Sequence, residues 1–164
     1  MDDTLEYLKD RYHEAQACFQ HVEHKCAILL VFITLMIVAT AVIASLEGEL
    51  IFQPVSPVSW IALVSFLSAL FTLVCAWGHA LLALSLGECP ALPANKKTAE
   101  YLCSTDAEAV SKHVLGCYLE SIEKLTEVIN SKVRNLDFAF EELTLSAWLL
   151  SLSTVLSVYL VFAE

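Results

Sequence analysis

Three uncharged stretches, each long enough to cross a lipid bilayer, constrain this chain more than any other feature. Cys26 to Leu46 runs 21 residues without a charged side chain. A helix rising 1.5 Å per residue needs about that length to cross a ~30 Å hydrocarbon core. A second uncharged stretch, Ile51 to Gly87, is broken near its start by Pro54 and Pro57. It leaves a span over residues 58–86 that is long enough to tilt. The third runs from Leu143 to Ala163. With 57% hydrophobic residues in 164, the chain is too apolar for an ordinary soluble domain and reads as one small membrane unit.

Charge narrows the partners. There are 19 acidic residues against nine basic ones, a net charge of −10, so the chain offers no basic face for nucleic acid or for anionic lipid surfaces. The first 25 residues are polar and carry six acidic side chains. A secretory signal begins instead with a short basic region followed at once by an apolar run, so the first span is expected to stay in the membrane. Six cysteines without tight paired spacing, Cys18, Cys26, Cys75, Cys89, Cys103 and Cys117, fit a reduced compartment better than a disulfide framework.

The basic residues also set a direction. Lys9, Arg11 and Lys25 precede span one, and Lys96, Lys97, Lys112, Lys124, Lys132 and Arg134 lie between spans two and three. The turn between spans one and two holds Glu47 and Glu49 and no Lys or Arg. The positive-inside rule then makes the N-terminus cytoplasmic, the C-terminus external, and spans one and three parallel, with span two returning between them. Trp60 and Trp148 fall at the outer end of span two and the inner end of span three, where interfacial aromatics belong. The expected layout is a cytosolic amphipathic helix (1–25), span one (26–46), an outer loop (47–57), span two (58–86), a cytosolic connector (87–105), a cytosolic heptad helix (106–142) and span three (143–163). Gly48→Cys should therefore react with membrane-impermeant maleimide added outside intact cells. Labelling from the cytosolic side alone would reverse the topology.

Two heptad seams run into the spans. Leu5, Leu8, Tyr12, Ala15, Phe19, Val22, Cys26, Leu29, Ile33 and Met36 alternate steps of three and four. Leu115, Tyr118, Ile122, Leu125, Ile129, Lys132, Leu136, Ala139 and Leu143 do the same. Such seams pack on a partner helix. Neither is interrupted where it meets the bilayer, so each predicts one long helix, and the ~25 residues before Cys26 would reach about 37 Å into the cytosol. Asp106, preceded by Ser104 and Thr105 and followed by Glu108, is the N-terminal signal of the last helix. The expected fold is an all-α membrane protein, three transmembrane helices with a cytosolic helical stalk formed by extensions of the first and last spans. The seams also predict self-association into a homo-oligomer.

Lys132 is the odd residue on its seam, since an ammonium there is costly unless paired. It either sets register and pairing or meets an anion. With the two stalks level, Leu143 aligns with Cys26, Lys132 falls opposite Ala15 within reach of Glu14, and Lys25 lies near Glu141 and Glu142. His79, beside Trp77 and Gly78, is an ionisable residue inside span two, which is either functional or a neutral histidine bonded across helices. Ser65, Ser68 and Thr72 offer the small, hydroxylated surface that helix packing in lipid favours. Cys18, His21, His24 and Cys26 do not make a closed zinc signature, because one helix cannot wrap a tetrahedral metal. No nucleophile, base and orienting partner stand together, and the connector has no phosphate-cradling glycine run. No enzyme activity, metal or cofactor is expected.

Two segments carry a resemblance. In HKCAILLVFITL, Lys25 precedes the apolar run of span one, and in IEKLTEVINSKVRNLDFAFEELTLS, Lys132, Leu136 and Ala139 precede the last span. This resembles the transmembrane effectors of Pycsar antiphage systems, and more loosely the small membrane effectors of CBASS-type systems. The resemblance implies a multi-pass protein of the bacterial inner membrane that responds to a cyclic pyrimidine mononucleotide (cCMP or cUMP), then impairs the membrane and arrests the infected cell. The chain has no room for a separate nucleotide-binding domain, so such an anion would need Lys112, Lys124, Lys132, Arg134, Arg11 or Lys25 on the stalk or between subunits. The competing reading is a non-catalytic membrane adaptor whose acidic stalk recruits a partner protein.

Overall fold

A computed structural model of the chain describes residues 2–46, 52–87, 89 and 106–163. Within them the chain forms three helices and no strand: α1 (Asp2–Leu46), α2 (Pro57–Ser85) and α3 (Ala107–Ala163). Each contains a segment long and apolar enough to cross a membrane. The protein is an all-α, multi-pass membrane protein in which α1 and α3 extend their spans as polar, seam-bearing helix. Glu47 and Glu49 of the turn between the first two spans, and Pro90, Pro93, Lys96, Lys97 and Cys103 of the connector, lie outside the described residues. None of the five described cysteines is in a disulfide.

Local chemistry sets the helix ends. Ser56 caps α2 through its Oγ, which accepts the Ser59 N–H at 3.2 Å, while the Ser59 Oγ accepts the Ser56 N–H at 2.8 Å. This is a serine version of the reciprocal capping box, with Pro57 at the first helical position, where a missing N–H costs nothing. Asp106 opens α3, its carbonyl accepting the Val110 N–H at 3.0 Å. After α2, Gly87 takes φ +61°, and a Cβ there would sit 2.9 Å from Val128 Cγ1. Gly87→Ala is therefore expected to cost about 1–2 kcal/mol in backbone strain, and more in moving the Val128 methyls. Thermal unfolding in detergent checks this, and a variant as stable as wild type would contradict it.

The helices contribute to two units. The first comprises residues 1–24 and 85–133, the second residues 25–84 and 134–164. The division in α3 falls after Val133, nine residues before the expected start of span three, so the turns carrying Arg134, Asp137, Glu141 and Glu142 belong to the second unit.

In the first unit α1 and α3 run parallel, seam against seam. Tyr12, Phe19 and Leu125 form a buried cluster, with Ala15, Tyr118, Ile122, Val128, Ile129 and Cys89 packed against it. The Tyr12 and Tyr118 rings meet edge to face, 5.8 Å apart, a favoured aromatic geometry. The apolar surface that each seam requires is thus supplied within one chain.

In the second unit α2 runs antiparallel to α3 and buries Ala62, Ala69, Ala76, Ala80 and Ala83. Small residues let the backbones approach closely enough for side-chain hydroxyls to reach across. Ser146 Oγ donates to the Ala69 carbonyl and Ser153 Oγ to the Ala62 carbonyl, both at 3.1 Å. Trp77 Nε1 donates to Thr34 Oγ1 at 3.2 Å, tying α2 to α1. The large side chains point outward, Phe162 86%, Trp148 73% and Phe71 70% exposed. Apolar exposure on this scale would be an aggregation surface in water and is what lipid requires.

Candidate functional site

Lys132 lies on the buried face of α3 in the first unit and is fully enclosed, the largest side chain among the described residues of which that is true. Its Nζ is 3.2 Å from Glu23 Oε1 and 4.9 Å from the centroid of the Phe19 ring. A desolvated ammonium gains from both a carboxylate and an aromatic face. Glu23 is asymmetric to its partner, its side chain 39% exposed. The pair thus joins an enclosed cation to an anion that solvent reaches. An arriving anion could compete for that cation from the solvent side.

This geometry corrects the level alignment of the two stalk helices. Lys132 meets Glu23 rather than Glu14 near Ala15, and Tyr118 faces Tyr12. The register is offset from the level one by two to three helical turns. Heptad seams repeat every seven residues and so accept several registers. Burial of Lys132 against Phe19 beside Glu23 satisfies its charge in this one. Glu14 instead pairs with Arg11 on its own helix. Lys25 is exposed, and neither Glu141 nor Glu142 is its ion-pair partner; Glu142 faces His79.

Other candidate cations make contacts on their own helices. Lys112 pairs with Glu108 at 3.1 Å and Lys124 with Glu120 at 2.6 Å, both pairs strongly exposed and within one helix. The hydrogen bond from Lys124, and then its charge, holds the Glu120 carboxyl below its ordinary value, while Glu120 raises Lys124 in return. Arg134 belongs to the second unit and stacks over the Phe138 ring at 5.6 Å.

His79 does pair across helices. Its Nε2 lies 3.6 Å from Glu142 Oε1, and its ring is 5.6 Å from that of Phe138. His79 Nδ1 and Glu142 Oε2 are buried without a hydrogen-bond partner among the described residues. Of the three hydroxylated positions expected on α2, Ser65 is buried, while Thr72 returns its hydroxyl to the Ala69 carbonyl of its own helix at 3.0 Å. Among the described residues the hydroxyls that donate from α3 to α2 are those of Ser146 and Ser153, which continuing the three–four steps of the seam beyond Leu143 would have found. No group of three His, Cys, Asp or Glu side chains suited to a metal occurs among the described residues. Comparison with protein-family models, curated proteins and solved structures gave no match.

Proposed function

We propose that the protein is a membrane effector of a bacterial antiphage nucleotide-signalling system, one that impairs the inner membrane when a cyclic pyrimidine mononucleotide reaches its cytosolic part. The observation that carries this reading is Lys132, an enclosed ammonium whose carboxylate partner is open to solvent. A phosphodiester could take over the charge pairing from Glu23, and the first-unit seam would then repack. Helices α1 and α3 continue unbroken into the second unit, so repacking has a covalent path to the spans. Because the seams are satisfied within one chain, assembly into a homo-oligomer would use their outward faces. The similarity of Lys25, Lys132, Leu136 and Ala139 to the Pycsar effector pattern adds the ligand class.

The test is membrane potential in bacteria expressing the protein with or without a cyclase that makes cCMP or cUMP. Depolarisation only when the cyclase is active is the expected result. Equal depolarisation without the cyclase, or none with it, would reject the reading and favour the adaptor, whose acidic exposed residues on α1, Asp3, Glu6 and Asp10, would then serve docking.

A further inference from the structure

The α2–α3 interface of the second unit is built to be satisfied in more than one way. On α2, Ala62, Ala69, Ala76 and Ala83 are spaced by seven and are all at most 4% exposed. On α3, the donors Ser146 and Ser153 are also seven apart, bonded to the carbonyls of Ala69 and Ala62. Seven residues are close to two turns, so a slip of one heptad keeps the same faces together. Moving α3 by that step toward its own N-terminus, about 10 Å, would bring Ser146 to Ala76 and Ser153 to Ala69. Both hydroxyls would again meet the carbonyl of a buried alanine.

Two features show that the observed register leaves something unsatisfied. In this antiparallel pair the Ser146–Ala69 bond sets Leu143 level with Thr72. The uncharged residues 73–81 of α2 then run beside the turns of α3 that carry Arg134, Asp137, Glu141 and Glu142. The slip would set Leu143 level with His79 and match the apolar stretches of the two helices. α2 has 29 residues, more than the ~20 that a span needs, so it stays a span at either level. The second feature is the His79–Glu142 pair. In the observed register these residues lie six positions apart in level, reach only 3.6 Å and leave His79 Nδ1 and Glu142 Oε2 buried without partners. The slip brings them within one position of level.

We infer that α3 has a second register on α2, one heptad toward its own N-terminus, with Ser146 bonded to the Ala76 carbonyl, Ser153 to the Ala69 carbonyl, and His79 beside Glu142. The second register is read from the α2–α3 interface alone, and because α3 is one helix the slip would also part Val128 from Gly87. Disulfide trapping of the full chain in membranes tests it, since a disulfide requires Cα atoms within about 4.4–6.8 Å and the two registers differ by more. Ala69→Cys/Ser146→Cys reports the observed register, Ala76→Cys/Ser146→Cys the second, and Ala83→Cys/Ser146→Cys neither, with the crosslinked peptides identified by mass spectrometry. The second pair should crosslink about tenfold faster than the third, as expected for trapping a minor state. In the otherwise wild-type chain carrying 5-fluorotryptophan in nanodiscs, fluorine spectra should show minor resonances beyond one for each of the three tryptophans. If Ala76→Cys/Ser146→Cys crosslinks no faster than the Ala83 control, or if, should those variants fail to insert, each tryptophan gives one resonance, the interface has a single register and the inference is overturned.

Discussion

Leu125→Asp should disrupt the first unit, at a cost of about 4 kcal/mol or more. Leu125 is fully buried in the cluster with Tyr12 and Phe19, and an ionised carboxylate has no partner in such a place. Hydrogen exchange in nanodiscs should show the amides of residues 8–22 and 115–133 losing protection together. Leu119→Asp makes the same chemical change at a position that is 51% exposed, and should stay within about 0.5 kcal/mol of wild type. Similar protection loss in both variants would mean that the seams do not pack on each other within the chain.

The second large effect concerns Glu23. Glu23→Ala removes the carboxylate that neutralises an enclosed ammonium, with an expected loss of about 3 kcal/mol. That is the low end for breaking a buried pair, because Glu23 itself is 39% exposed. Replacing both members, Glu23→Leu with Lys132→Met, removes the charge as well as the pair and should recover most of the loss. Glu14→Ala touches only the exposed Arg11 contact and should change stability by less than about 0.5 kcal/mol. Thermal unfolding of the three variants separates the observed register from the level one. If Glu14→Ala proves the costly change and Glu23→Ala the neutral one, Lys132 pairs as in the level alignment.

How far the sequence reveals this molecule can be followed residue by residue. The three spans, the continuity of α1 and α3, and Asp106 at the start of the last helix were all legible, because charge, length and capping chemistry are local properties. Burial of Leu8, Tyr12, Phe19, Val22, Leu125 and Lys132 also followed from the three–four steps. Register did not. A seam that repeats every seven residues looks the same after a heptad slip, so the sequence could not choose between Glu14 and Glu23 for Lys132. The pairing of His79 with Glu142 was hidden for the same reason. Ser56-Pro57 followed by Ser59 was a readable helix start that the two nearby prolines overshadowed. The cations gathered as candidates were read by sign alone, and three of the six, Arg11, Lys112 and Lys124, are neutralised by a carboxylate one turn away on their own helix.

In the proposed mechanism the charge pairing of Lys132 couples ligand binding to the membrane spans. Its most direct test is the membrane potential of cells carrying Lys132→Ala alongside an active pyrimidine cyclase, at membrane protein levels matched to wild type. These cells should keep their potential while wild-type cells lose it, with the variant still inserted and folded. Collapse of Lys132→Ala cells to the same extent as wild type would contradict it, and leave Lys132 as a residue that only fixes the register of α3 on α1.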